Sequence, residues 1–114
     1  RRRRRAAHLT VAQTLLDALG EAAPPQVLAG HFEAGGRPAE AMAYWRGAGL
    51  QALRTSANAE AVAAYDRALA LLEAQPEAQR DRQFEAHVLI EQGLAYIALM
   101  GFAAPAGPGG LRPG

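Results

Sequence analysis

The sequence predicts an all-α fold in which four or five short helices stack antiparallel into an α-α superhelix. Alanine, the strongest helix former, supplies 28 of the 114 residues. Apolar residues recur every three or four positions in five segments, which is the spacing of one helix face. Glycine and proline separate these segments, so each helix is expected to be short.

The first two helices are expected over residues 6–19 and 24–34. Gly20 ends the first, because glycine is common just after a helix; its apolar face comprises Leu9, Ala12, Leu16 and Leu19. Pro24 and Pro25 open the second, since proline is well tolerated in a first turn. The heavier side of the second helix is formed by Val27, Leu28, His31 and Phe32, and Gly35 and Gly36 follow its end.

Three further helices are expected over residues 38–54, 59–74 and 77–101. Thr55, Ser56 and Asn58 lie between the first two of these and are predicted to supply capping oxygens to the following helix. Pro76 breaks the chain before the last helix. The second half of that helix is apolar nearly all round, so it needs cover on more than one side.

An internal repeat relates residues 39–48 to residues 59–68 without a gap. Each copy has a small residue, an aromatic residue four positions later and a second small residue three positions after that: Ala41, Trp45 and Ala48, then Ala61, Tyr65 and Ala68. Residues with this spacing share one helix face. Small side chains admit the backbone of a neighbouring helix and the aromatic ring fills the adjacent space, so these residues are predicted to pack between helices.

This pattern resembles the tetratricopeptide repeat, a helix pair with a Trp-like, Gly, Tyr, Ala, aromatic and Ala signature. Its matching positions here are Trp45, Gly49, Ala61, Tyr65 and Ala68, and a second, partial match comprises Leu89, Gly93, Tyr96 and Phe102. The resemblance implies a helical-repeat scaffold that binds a protein or peptide. It also implies packing roles for Leu89, Gly93 and Tyr96. Separately, glycine inside a helix costs about 1 kcal/mol relative to alanine, and contact between helices would offset that cost, so helix crossings are predicted at Gly47, Gly49 and Gly93.

A narrower resemblance covers most of residues 1–104. The segment 28–35, the small and aromatic residues of 41–53 and the segment 56–61 are similar to helical repeats that follow the ATPase module of large bacterial signalling proteins. Those proteins include multidomain adenylate or guanylate cyclases with a predicted-ATPase region, and LuxR-type transcriptional regulators. The resemblance implies a regulatory, cytoplasmic scaffold that contacts other domains of its own chain, and it brings no ATP-binding or cyclase residue to these positions.

The predicted organisation follows from that resemblance and from composition. Residues 1–23 form a leading helix at a module boundary, residues 24–104 form the tetratricopeptide-like repeats, and the Pro- and Gly-rich residues 105–114 are expected to be disordered. The sequence begins without Met, so we expect it to be a piece of a longer protein. Ile90, Leu94, Ile97 and Phe102 would then lack a covering repeat, and we expect self-association through the last helix.

Composition argues against catalysis. Cysteine and lysine are absent, which excludes thiolate metal sites, Cys nucleophiles and Schiff-base lysines. His8, His31 and His87 are not spaced as a helical metal pair, and Ser56 is interpreted as a helix cap. Acidic residues such as Glu33 and Glu91 are interpreted as solvated. We therefore predict a non-enzymatic chain with no catalytic, cofactor-binding or metal-binding residue and no cofactor.

The aromatic residues leave one alternative open, because Trp45, Tyr65 and Tyr96 are either a ligand-binding set or, as their spacing favours, packing residues. The charge distribution leaves a second alternative open, which concerns the partner. Candidates for phosphate contact are the five consecutive arginines Arg1, Arg2, Arg3, Arg4 and Arg5, and a nucleic-acid-associated module of a LuxR-type regulator is the alternative function. Residues 6–114 carry seven Arg against eleven Asp and Glu, a net charge of −4, so nucleic acid is not the favoured partner. No apolar run is long enough for a membrane span, and no signal peptide is apparent.

Overall fold

The computed structural model describes residues 2–103, with side chains through residue 101, and this part of the chain is all-helical, as the sequence predicts. Within it lie five α-helices: α1 (Arg2–Leu19), α2 (Pro25–Ala34), α3 (Pro38–Arg54), α4 (Asn58–Glu73) and α5 (Arg82–Ala103). Two 3₁₀ turns, Gly20–Ala22 and Glu77–Gln79, precede α2 and α5. The expected disorder of residues 105–114, the role of Arg1 and the packing of the Phe102 side chain lie outside the described residues.

Most helix boundaries fall where glycine and proline predict them, but α1 begins earlier than expected, at Arg2, and α5 begins later. Residue 77 opens only a 3₁₀ turn, and the helix proper starts at Arg82. Asp81 caps it, because its carboxylate Oδ1 accepts a hydrogen bond from the backbone N–H of Phe84 at 3.0 Å. Arg80 donates to the Gln75 and Glu73 carbonyls at 3.1 and 2.9 Å, which satisfies the end of α4.

Two turns of the same design join α2 to α3 and α3 to α4. In the first, Arg37 N–H donates to the Phe32 carbonyl at 2.8 Å and Gly36 has φ +79°. In the second, Ala57 N–H donates to the Ala52 carbonyl at 2.8 Å, and Ser56 has φ +61°. These are Schellman turns, in which a left-handed residue ends a helix. The 20-residue sequence repeat is therefore also a repeat of one helix and its preceding turn.

The capping role predicted for the residues before α4 is wrong. Thr55 Oγ1 donates back to the Ala52 carbonyl of α3 at 3.2 Å, and no side chain caps the start of α4. Ser56 occupies the left-handed turn position, and Asn58 is buried as the first residue of α4. Ala57, which has no side-chain oxygen, occupies the N-cap position of α4, and Ser56 has the left-handed conformation in place of the extended one typical of an N-cap residue.

Each helix packs mainly on the helices before and after it in the chain, with a lesser contact between α3 and α5. Connections of three residues reverse the chain between α2 and α3 and between α3 and α4, so these neighbours run antiparallel. Two hydrophobic clusters result. One contains Ala12, Ala23 and Leu28, and the other contains Ala52, Ala61, Tyr65, Val88 and Ala95.

The outer face of α5 is exposed, as expected for Ile90, Leu94 and Ile97. The packing roles expected for Leu89 and Tyr96 are not met, because these side chains are 51% and 45% exposed. No described helix follows α5 to cover them. Leu19 and Val27, also expected on packed faces, are exposed. None of the described helices combines the length and apolarity needed to cross a membrane.

Candidate interaction groove

An open groove of about 600 Å³ lies where α2, α3 and α4 meet. Its floor is made of small side chains and one indole ring, and polar side chains from all three helices form its rim. The lining residues are Gln26, Trp45, Ala48, Gln51, Ala52, Thr55, Glu60, Ala63, Ala64 and Arg67. The groove exists because alanine occupies the floor positions, where larger side chains would fill it.

Trp45 is held in this groove by charged groups of the two neighbouring helices. Its indole Nε1–H donates to Glu33 Oε1 of α2 at 3.1 Å, and Arg67 of α4 donates to the same oxygen at 3.0 Å. The Arg67 guanidinium carbon lies 4.9 Å from the centroid of a Trp45 ring, which is cation–π distance. Glu33, Trp45 and Arg67 thus link three successive helices and fix the indole ring beside the groove.

The opposite side of α3 packs against the Tyr65 ring and against α5. The Tyr65 ring is buried and lies directly against Gly49 of α3. Among the described residues none forms a hydrogen bond with the Tyr65 hydroxyl. Burial, and secondarily the negative charge of Glu91, raise the pKa of this hydroxyl well above its usual value.

Arg46 and Glu91 join α3 to α5 through a two-point ion pair. Arg46 Nε donates to Glu91 Oε1 at 3.0 Å, and a terminal guanidinium nitrogen donates to Oε2. The hydrogen bond from Arg46 lowers the pKa of the Glu91 carboxyl despite its partial burial, and the pKa of Arg46 is raised in turn. Beside this pair, Gln92 donates to the Val62 carbonyl at 3.1 Å and to Asp66 at 2.8 Å. These bonds orient α5 on the stack.

The structure separates the residues predicted to pack between repeats into two groups. Those of the first two repeat helices are buried: Ala41, Ala48, Gly49, Ala61, Tyr65 and Ala68. Trp45 is partly buried and shared between the groove and its charged neighbours. In α5, by contrast, the position of Gly93 has no described atom within 4 Å of where a Cβ would lie.

The three aromatic residues Trp45, Tyr65 and Tyr96 do not come together into one ligand-binding set. Trp45 lines the groove, Tyr65 is enclosed in the core, and Tyr96 is exposed on α5 outside the groove. The arginines Arg2, Arg3, Arg4 and Arg5 are exposed at the start of α1, and Arg5 extends beside Gly36. These arginines do not line the groove.

Sequence reasoning missed the contacts that join residues far apart in the chain. Glu33 and Glu91, interpreted as solvated, are partners of Arg67 and Arg46. His8 and His31 also meet, with their Nδ1 atoms 2.9 Å apart, so that one ring donates and the other accepts. Separations of 23 to 45 residues leave no spacing signal, since only the packing of the five helices on one another brings these groups together.

Neither chemistry nor comparison assigns this site a reaction. Within residues 2–101 no three His, Asp or Glu side chains gather closely enough to hold a metal ion. No protein-family model, curated protein or solved structure matches the chain. The groove is therefore interpreted from its own shape and lining.

Proposed function

We propose that this chain is a non-catalytic helical-repeat scaffold that binds a protein or peptide segment, or another domain of its own polypeptide, in the groove between α2, α3 and α4. The observation that carries the proposal is the convergence of three successive helices on Trp45, which Glu33 and Arg67 hold in place beside an open groove. A fixed aromatic ring in a concave site supplies apolar contact at low entropic cost.

The lining suits a peptide better than a small charged ligand. An alanine floor accepts apolar side chains, and the amide and hydroxyl groups of Gln26, Gln51 and Thr55 offer both donors and acceptors to a peptide backbone. Glu60 and Arg67 place one charge of each sign on the rim. Such a site favours a segment of mixed character over a strongly acidic or basic one.

The wider role that we propose is that of an interaction segment in a large bacterial signalling protein of the cytoplasm. The resemblance of residues 28–61 to the tetratricopeptide-like repeats of signalling ATPases and nucleotide cyclases supports it. In that role, occupancy of the groove is relayed to ATPase and cyclase domains outside this segment.

A peptide-display selection on the immobilised 114-residue chain tests the groove. Trp45 is the only tryptophan, so its fluorescence reports occupancy directly. Ala63 is exposed on the groove lining, and Ala63→Arg should abolish binding of the selected peptides by filling the site. Ala43→Arg is the matched control, because Ala43 is exposed but does not line the groove.

The expected result is a set of peptides that change Trp45 fluorescence and bind the Ala43→Arg variant but not the Ala63→Arg variant. A selection that returns no binders, or only binders with equal affinity for both variants, contradicts a groove-based scaffold. Circular dichroism of both variants checks that their helix content equals that of the unsubstituted chain.

A further inference from the structure

The exposed face of α5 has the pattern of a second helix-packing seam. Large apolar side chains that are 45–69% exposed cover three turns of it: Leu89, Ile90, Leu94, Tyr96, Ile97 and Met100. At its centre, positions 86, 90, 93, 97 and 100 alternate in steps of four and three, which is the spacing of a helix–helix seam. The face opposite packs on α4 through Val88 and Ala95.

Gly93 lies at the middle of this seam, and no contact among the described residues accounts for a glycine at this position. Glycine in a helix interior is unfavourable relative to alanine, and no described atom lies near enough to exclude a Cβ there. Gly49 shows what such a position does elsewhere in the fold, because the Tyr65 ring of the next helix lies directly on it. Gly93 between Ile90 and Ile97 therefore leaves a hollow that a side chain from outside the described chain can enter.

We propose that this hollow and seam bind the α5 helix of a second copy of the chain, antiparallel about a two-fold axis near position 95. In that register Ile97 of each copy lies level with Gly93 of the other, and Ile90 lies level with Met100. Ile97 thus enters the hollow at Gly93 on both sides of the axis, as a two-fold interface requires of a single self-complementary surface. The proposal concerns a different face from the groove between α2, α3 and α4 and does not depend on it.

Charge and area favour a second copy over a partner of different chemistry. Between positions 86 and 101 the only His or acidic residues are His87 and Glu91, and Glu91 is engaged by Arg46. Two such faces meet without like-charge repulsion, and neither offers charge to an acidic or basic partner. Six exposed side chains make a patch on the order of 300–600 Å², so two patches together bury roughly 600–1,200 Å², a range that includes the lower size of a specific interface, about 1,000 Å².

Sedimentation equilibrium of the full chain up to about 1 mM provides the first test. We expect a monomer–dimer equilibrium in which Ile97→Glu weakens the dimer at least about 30-fold, the loss typical of a central interface residue. Val11→Glu, on the exposed surface of α1, should leave the dimer unchanged. A monomeric chain over the whole range, or equal effects of the two variants, overturns the proposal.

A mixture of two single-cysteine variants tests the register, since the chain has no cysteine of its own. After mild oxidation of Gly93→Cys and Ile97→Cys together, the mixed disulfide should exceed its statistical share, because only that pair is close enough to bridge. A predominance of 93–93 disulfides indicates parallel helices and overturns the antiparallel pairing. A purely statistical mixture overturns it as well.

Discussion

The ring of Tyr65 lies so close to Gly49 that a Cβ placed on that glycine would be 2.5 Å from the ring carbon Cζ. That distance is below van der Waals contact, and Tyr65 is fully enclosed, so the ring has little room to move. We expect Gly49→Ala to lower the free energy of unfolding by up to about 2 kcal/mol, since overpacking costs about 1–3 kcal/mol and alanine's helix preference returns only about 1 kcal/mol. Urea unfolding followed by circular dichroism measures it.

Gly30 provides the matched control for Gly49. It lies inside α2, and no atom is within 4 Å of the position where its Cβ would be. Gly30→Ala should therefore raise the free energy of unfolding by up to about 1 kcal/mol. Equal stabilisation by the two substitutions would show that the Tyr65 ring does not constrain α3.

The hydroxyl of Tyr65 is buried without a hydrogen-bond partner among the described residues. We therefore expect that removing this hydroxyl stabilises the fold. Tyr65→Phe keeps the ring and deletes the unpaired group, so the free energy of unfolding should rise by about 1 kcal/mol. Tyr65→Ala should lower it by about 3–5 kcal/mol through loss of the core ring. A marked loss of stability in Tyr65→Phe would indicate a hydrogen bond to this hydroxyl.

The same burial predicts alkaline sensitivity. The pKa of Tyr65 is raised in the folded chain, chiefly by burial, so the fold favours the neutral phenol. Its contribution is therefore fully present below the ordinary tyrosine pKa of about 10 and is lost as the pH rises above it toward the folded value. Thermal unfolding as a function of alkaline pH should show this loss, and Tyr65→Phe should reduce it.

The ion pair between Arg46 and Glu91 predicts a loss of stability in acid. The pKa of Glu91 is lowered in the folded chain, chiefly by the hydrogen bond from Arg46. The stabilisation is complete above the ordinary glutamate pKa of about 4.3 and disappears as the pH falls below it through the folded value. Glu91→Gln should cost about 1–3 kcal/mol near neutral pH and remove this part of the acid dependence.

Glu40 serves as the control for Glu91. Its pair with Arg37, at 3.5 Å, is solvent-exposed on both sides, whereas the side chains of Glu91 and Arg46 are only 15% and 32% exposed. Glu40→Gln should therefore change the free energy of unfolding by no more than about 1 kcal/mol. If Glu40→Gln and Glu91→Gln lower the free energy of unfolding equally, the ion pair between Arg46 and Glu91 contributes no more than an exposed surface pair.

Local signals predicted most of the fold, because helix boundaries depend on residues close to them in sequence. Pro38 begins α3 and Gly20 follows α1 where proline and glycine chemistry requires. The start of α5 differs from the prediction because the helix begins after the cap at Asp81, which accepts a hydrogen bond from the Phe84 N–H, and not directly after Pro76. The residue at which a helix begins can thus depend on a single capping hydrogen bond.

The groove itself was not predictable from spacing. Trp45 and its alanine neighbours were expected to pack between helices, and the alanines do so, but the hydrogen bond to Glu33 and the cation–π contact with Arg67 depend on how three helices cross. Likewise, Leu89 is half-exposed because no described helix covers that face of α5, although its position in the repeat predicts packing. The burial of a side chain depends on how all the helices pack together. Sequence spacing reports only which residues share a face of one helix.

The two Schellman turns provide a reciprocal test, because equivalent positions 20 residues apart hold Gly36 and Ser56 at φ +79° and +61°. A side chain in this left-handed region costs roughly 1 kcal/mol, which glycine avoids. Ser56→Gly should therefore raise the free energy of unfolding by about 0.5–1 kcal/mol, and Gly36→Ser should lower it by about 1 kcal/mol. Urea denaturation resolves both changes, and the double variant should lie near the unsubstituted chain if the turns contribute independently. Stabilisation by Gly36→Ser would contradict a left-handed residue in the first turn.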